Sequence, residues 1–301
     1  MSSIMTNTAA LNALKSLTNT QDQMQMTQNR ISSGLRVGGA QDNAAYWSIA
    51  TTMRSDESAL STVKDALGLG GSTIDVAYTG TNAALGVTQK IKDKLVAALQ
   101  PGIDRTKVQA EVKQLQDQLK SIGDSSSFSG QNWLSVDSSA TGYNSTRSVV
   151  ASFTRSGSSV SVGTIDVNVS NTKLFDATGQ TGILDKVTGT VSVSTLDISA
   201  LTDTAADQTT LKAMISQVDT AISSMTTSAS DLGAAKSRIS TQTDFITSLS
   251  DAIHRGIGTL VDADMTAEST KLQALQVQQQ LGTQALSIAN QSSQSILSLF
   301  R

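Results

Sequence analysis

The chain has 301 residues, a formal net charge of −3, no cysteine, a single proline and 3% aromatic residues. Lack of cysteine excludes a disulfide framework and thiolate chemistry, and the charge balance gives no basic field for nucleic acid. Large side chains are too scarce for a bulky globular core, whereas Leu, Ile, Val and Ala suffice for helix seams.

Met1 to Thr8 has neither the basic start nor the apolar run of a signal peptide, so no cleaved signal is expected. From Met1 to about Leu35 a heptad reads Ala10, Leu14, Leu17, Gln21, Met24, Gln28, Ile31, Leu35. The stretch SGLRVGGAQDN follows, where Gly34, Gly38 and Gly39 relax or break the helix and Asp42 or Asn43 can cap the next one. The second helix carries a 4/3 series: Ile49, Met53, Asp56, Leu60, Val63, Leu67, Gly70, Ile74, Ala77, Thr81, Ala84, Thr88, Ile91, Leu95, Ala98. Pro101 opens a turn, PGID, into a third helix with Val108, Val112, Leu115, Leu119 and Ile122 on one face.

Helical periodicity stops near Gly123. SSVSVGTIDVNVS alternates as a strand through Val160, Val162, Ile165, Val167 and Val169, with a phase slip near Gly163 that reads as a bulge. TVSVSTLDIS repeats the alternation with Val191, Val193, Leu196 and Ile198, predicting a second strand. β-Branched alternation favours a small β-rich insert over a disordered linker.

The heptad then returns without a miss at Leu211, Val218, Met225, Leu232, Ile239, Ile246, Ile253 and Leu260, with Ile215, Ile222, Ala229, Lys236, Thr243, Ser250 and Ile257 between. At ~1.5 Å per residue such a helix spans roughly 75 Å, which predicts a rod rather than a ball. From Leu272 to Phe300 no formal charge occurs, but the segment holds eight Gln and five Ser, which argues against a lipid-facing span. Its apolar positions form stripes, Leu272, Leu275, Leu286, Ala289, Ile296 and Phe300, with Leu281, Ile288 and Leu299 beside them. Both ends of the chain therefore read as neutral arms meant to be surrounded by protein, with no membrane insertion.

Several motifs now carry a family resemblance. QNRISSGLRVGGAQDNAAYWSIA resembles the N-terminal motif of bacterial flagellins, and SSFSGQNWL their short Phe-x-Gly turn. The stretch LVDADMTAESTKLQALQVQQQLGTQALSIANQSSQSILSLFR is similar to the family's C-terminal signature. The match covers roughly residues 1 to 135 and 205 to 301, and its wording is closest to rhizobial-type members.

The resemblance implies a mainly α fold: a rod-like antiparallel hairpin of long helices with coiled-coil seams, paired terminal arms and a small β-rich insert. It implies arms at 1–40 and 262–301 in the inner filament core, a long-helix bundle at 41–137 and 201–261, and a surface insert at 138–200. The function implied is a secreted structural subunit that polymerises head-to-tail into the flagellar filament, exported unfolded by the type III apparatus. Expected partners are other flagellin subunits, in a homo- or hetero-polymer, hook-associated junction and cap proteins, and an export chaperone. No cofactor is expected, and no nucleic acid.

Self-assembly is assigned to Leu11, Leu14, Leu17, Met24, Ile31, Leu281, Leu286, Ile288, Ile296, Leu297 and Phe300. A spoke joint between inner and outer layers is assigned to Gly34, Arg36, Asp42 and Ala45. No catalytic site is expected: the single histidine, His254, cannot supply a His-Glu-x-x-His motif, and no phosphate loop or clustered metal ligands occur. Two other readings stay open, a hook–filament junction protein and a secreted coiled-coil host-interaction protein. Where the family's receptor-recognised stretch has an apolar leucine, this chain has Lys94. Weak or absent activation of the vertebrate Toll-like receptor for flagellin is therefore predicted, and a receptor reporter assay checks it.

Overall fold

The computed structural model describes residues 7–157, 159–187 and 191–299, with side chains described as far as Gln291 at the C-terminal end. Its helices are α1 (Thr8–Ser33), α2 (Ala44–Ala97), α3 (Arg105–Ser125), α4 (Ala205–Val261) and α5 (Met265–Leu299), with short strands between α3 and α4. The protein is thus mainly α, with helical regions at both ends and a small strand-containing insert. Two compact units form, Met1–Glu57 with Asp251–Arg301, and Ser58–Ser250, so that the division falls inside α2 and α4.

Within Ser58–Ser250 the seam of α2 follows the expected series, with Leu67, Ile74, Ala84, Ile91, Leu95 and Ala98 fully buried. In α4 the seven-spaced residues Leu211, Val218, Met225, Leu232, Ile239 and Ile246 are buried as predicted. The positions between them differ. Met214, Ala221, Ser228 and Ala235 are buried, rather than the predicted residues one place further on, and Lys236 lies exposed, paired with Asp75. The interior there takes mostly small side chains, because close-packed helices leave little room between heptad layers.

The turn after α2 behaves as the proline suggests. Ile103 N–H bonds to Gln100 O at 3.4 Å, and Asp104 caps α3 by accepting from the Thr106 and Lys107 N–H groups. Arg105 is 5% exposed; its Nε–H donates to Ala98 O at 3.1 Å and its Nη2 pairs with Asp203 at 2.8 Å. A cation thus sits where α2 ends, the favourable end of the helix dipole for positive charge. Nearby, Lys92 pairs with Asp219 at 2.7 Å and Lys94 pairs with Glu111.

The insert contains a two-stranded pair β1 (Ser127–Phe128) and β2 (Gln131–Asn132), then β3 (Ser135–Val136), pairing in parallel with β6 (Phe175–Asp176). Between them an antiparallel hairpin joins β4 (Thr146–Ser156) to β5 (Ser159–Asn168). Its register shifts between Val150 and Ser152, opposite Thr164 and Gly163, so the predicted phase slip is a bulge carried by the partner strand. Ile165, Val167 and Val169 are buried, while Val160 and Val162 stand exposed.

The second predicted strand, TVSVSTLDIS, is a correction: residues 192–199 form turns, not a strand. Val193, Leu196 and Ile198 are buried as the alternation required. Their backbone groups bond to glutamine side chains of α3 instead of a neighbouring strand. Gln116 Nε2–H donates to Val193 O and Leu196 O, and Ile198 N–H donates to Gln109 Oε1. Hydroxyls of Ser192, Ser194 and Thr195 bond one another and tighten the turn.

Deeper in the insert, Asp176 is 1% exposed. Burial pushes its carboxyl upward, but Lys173 Nζ at 2.7 Å, the Thr181 and Ser138 hydroxyls and the Ser138 N–H outweigh that and hold it well below the usual carboxylate range. Burial also raises Asp185, which accepts from the Asp176 N–H.

Candidate assembly surface on the terminal helices

The unit Met1–Glu57 with Asp251–Arg301 contains α1, α5 and the adjoining ends of α2 and α4. Asn7 caps α1 by accepting from the Ala10 N–H at 3.0 Å, and its own Nδ2–H reaches Ala289 O, also at 3.0 Å. Arg30 pairs with Glu268 at 3.2 Å. A methyl group on Gly282 would lie 3.3 Å from Leu17 Cδ1. These contacts fix α1 and α5 as an antiparallel pair.

Along that pair the less exposed positions of α1 are Ala10, Ala13, Leu17, Thr20, Met24, Thr27 and Ile31, with Arg30 beside the last. Those of α5 are Glu268, Leu272, Leu275, Gln279, Gly282, Leu286 and Ala289. Both lists step by threes and fours, as two helices wrapped on a narrow seam require. The α1 heptad was thus half right. Leu17, Met24 and Ile31 lie in the seam, while Ala13, Thr20 and Thr27 fill the places expected of Leu14, Gln21 and Gln28.

Leu14, displaced from the seam, is 49% exposed, and Leu11 is 58% exposed. On α5 Leu286 joins the seam, but Leu281 at 58% and Ile288 at 66% face outward. The side chains of Ile296 and Leu297, and Phe300 altogether, lie outside the described residues. Met26, Tyr46, Trp47 and Val277 are further exposed apolar residues that the seam pattern passed over. Being apolar and off the heptad was their signal.

The joint between α1 and α2 is built from backbone. Gly34 ends α1 at φ +74°, its N–H bonding back to Arg30 O at 2.8 Å. Leu35 bridges Asp262; the Arg36 and Val37 N–H groups both donate to Val261 O, and Ala263 N–H donates to Gly34 O. The Arg36 guanidinium donates to Leu260 O at 3.0 Å, neutralising the carbonyl end of α4. Asp42 accepts from the Gly38 and Gly39 N–H groups, and Asn43, of the two candidates, caps α2. Ala45 lies in the first turn of α2. Val37, Ala50, Ile257 and Val261 form a small buried core beneath. The helix break before α2 and the break before α5 are thereby locked to each other.

His254 lies on this unit with Nδ1 3.1 Å from Glu57 Oε1, and its side chain is 77% exposed. Among the described residues no cluster of ionisable side chains could hold a metal, and no helix is long and apolar enough to cross a membrane.

Comparison with known proteins fits this arrangement. Residues 4–139 match the bacterial flagellin N-terminal helical region, and residues 215–300 match the C-terminal helical region. Flagellin A of Rhizobium meliloti is 43% identical, with 100% of both chains covered. Flagellin C of Rhizobium meliloti strain 1021 is 48% identical, and a flagellin of Brucella melitensis 46%, each again over 100% of both chains.

Proposed function

The chain belongs to the bacterial flagellin family, and from that membership we propose that the outward faces of α1 and α5 are the surfaces by which each copy joins its neighbours. A flagellin is a structural subunit of the motility filament, and this chain polymerises with other flagellin subunits. The observation that carries the reading is the neutral apolar exterior of the terminal pair, Leu11 and Leu14 on α1 with Leu281 and Ile288 on α5. Burying one such side chain contributes ~1.5–3 kcal/mol, so a few per copy suffice to favour assembly.

In this reading residues 1–40 and 262–301 line the inner core, 41–137 and 201–261 form the outer layer, and 138–200 project at the surface. Leu17, Met24, Ile31 and Leu286 hold the pair together, and Ile296, Leu297 and Phe300 are assigned to assembly from the sequence alone. Gly34, Arg36, Asp42 and Ala45 set the angle between arm and outer layer. The filament is extracellular, its subunits delivered by a type III exporter with a chaperone and seated between hook-associated junction and cap proteins. The role is structural rather than enzymatic, and the locked joint suits a filament that transmits torque.

Electron microscopy of purified monomer, seeded and salted out, tests the reading. Long uniform filaments are expected. Short stubs, or none, would instead favour a junction protein or a subunit that needs a sister flagellin.

A further inference from the structure

Leu174 and Leu184 are fully buried in the insert, and the Leu184 N–H donates to Leu174 O at 2.9 Å. The next residue, Asp185, accepts from the Asp176 N–H through Oδ2, but its Oδ1 is buried without a hydrogen-bond partner. Buried acceptors are nearly always satisfied in a finished structure. The usual remedy, an ordered water, has no room here, because no water-sized space reaches Oδ1. Gly182 shows what that atom faces: a Cβ on this residue would stand 2.7 Å from Asp185 Oδ1 and 2.5 Å from Leu174 O. Two oxygens thus border one hollow, and neither can donate to the other while the carboxyl is ionised. Leu174 O has a second lone pair free beside the one that Leu184 uses.

We propose that Asp185 is a proton-operated latch of the insert, neutral when closed, with its Oδ1–H directed across the Gly182 hollow at the Leu174 carbonyl. Protonation turns Oδ1 from an orphaned acceptor into a donor and removes a charge from a buried site in one step. Loss of the proton leaves two oxygens facing each other and loosens the turn at 182–186, which the Lys186 N–H closes by donating to Gly182 O. The surroundings favour the neutral form. Burial raises the carboxyl first, and the Asp176 carboxylate raises it further; the N–H groups of Asp176 and Gly182 oppose both and do not outweigh them. Lys173 is no counter-ion for Asp185, since its Nζ is committed to Asp176 at 2.7 Å. Lys186 of the same turn and Asp231 of α4 both stand exposed, along a cavity that also borders Gly182. The latch is therefore fully closed below the ordinary aspartate value of ~3.9 and opens as pH rises through the raised folded value. It lies within one copy, so it does not depend on how copies join.

Carbon-13 labelling of aspartate in the full chain tests the latch. One carboxyl resonance, absent from an Asp185→Asn variant, is expected to titrate above those of the exposed aspartates. Hydrogen exchange of the Leu184 amide reads the turn itself. Relative to its intrinsic rate, exchange is expected to quicken by up to about tenfold per pH unit from ~3.9 to the raised value and then level off, one proton being linked. In Asp185→Asn, where an amide N–H replaces the acid O–H, the same amide is expected to keep its protection across that range. An Asp185 resonance that titrates with the exposed aspartates would overturn the proposal. So would a Leu184 amide whose protection changes with pH equally in the variant. Failure of Asp185→Asn to fold would show that the hollow does not accept a neutral donor, and would overturn it as well.

Discussion

Gly34 and Gly70 are held glycine for different reasons. Gly34 sits at φ +74° with nothing within 4 Å of where a Cβ would be, so its constraint is conformational alone. Gly34→Ala is expected to cost about 1 kcal/mol through the left-handed cap. Gly70 has ordinary helical backbone, but a Cβ there would stand 2.3 Å from Val149 Cγ1, where β4 lies on α2. Gly70→Ala overpacks that contact and is expected to cost about 1–3 kcal/mol. Urea unfolding of the two variants separates the cases, and a neutral Gly70→Ala would contradict the close contact. Gly34 was legible from the sequence as a break; Gly70 was not, because it sits on the heptad like any seam residue and its partner is 79 positions away in chain numbering. Asp176 was likewise invisible, since its partners are a lysine and hydroxyls drawn from three loops. Its folded pKa is depressed by Lys173, Thr181 and Ser138. Its contribution is therefore complete above the unfolded value of ~3.9 and is lost as pH falls below it. Asp185, raised by burial, works in the opposite sense over the acid range. Asp176→Asn is expected to lose about 3 kcal/mol at pH 7 by stranding the Lys173 ammonium, and to narrow its deficit towards pH 2. Unfolding free energy measured from pH 7 to pH 2 would show this convergence; parallel curves would refute it.

Whole elements were more legible than their facing. Helix extents followed from the 3.5 spacing, because any residue apolar every seventh place must face a partner. The alternate layer did not follow, since choosing between Leu14 and Ala13, or Lys236 and Ala235, depends on how closely the helices approach. Sequence reading favoured the larger apolar residue, whereas the seam of α1 and α5 takes small ones and leaves leucines outside. TVSVSTLDIS failed for a related reason: alternation fixes which side chains are buried, but Gln109 and Gln116 supplied the hydrogen bonds a strand would have needed. The α1 seam also contains an unfavourable choice. Thr27 is 1% exposed and its hydroxyl has no partner. Thr27→Val removes the orphaned group while keeping its shape, so the α1–α5 pair is expected to gain about 1 kcal/mol. Hydrogen exchange of the α5 amides opposite would slow; faster exchange would mean the hydroxyl is satisfied in solution.

At the scale of the molecule, buried and outward-facing apolar residues serve different ends. Between Ser58 and Ser250 the large aliphatic residues of the seams lie mostly inside, as in any self-sufficient core. On the terminal pair Leu275 is 4% exposed while Leu11, Leu14, Leu281 and Ile288 are all at least 49% exposed. Those four stay about half exposed when one copy folds, and in the proposed reading their apolar character is used between copies. Charge introduced at the two kinds of position therefore has separable effects. Leu11→Lys and Ile288→Lys touch no buried contact and are expected to change the monomer's unfolding free energy by less than about 0.5 kcal/mol. Both are expected to abolish filament growth, since each would bring an uncompensated charge into an apolar contact. Leu17→Lys, facing Gly282 within the pair, is expected to weaken the monomer's own α1–α5 contact as well as assembly. Sedimentation of seeded samples reads the filament and circular dichroism of unfolding reads the monomer. Normal filaments from Leu11→Lys and Ile288→Lys together would place the joining surface elsewhere on the chain. Loss of filaments with an unchanged monomer would assign these faces to assembly.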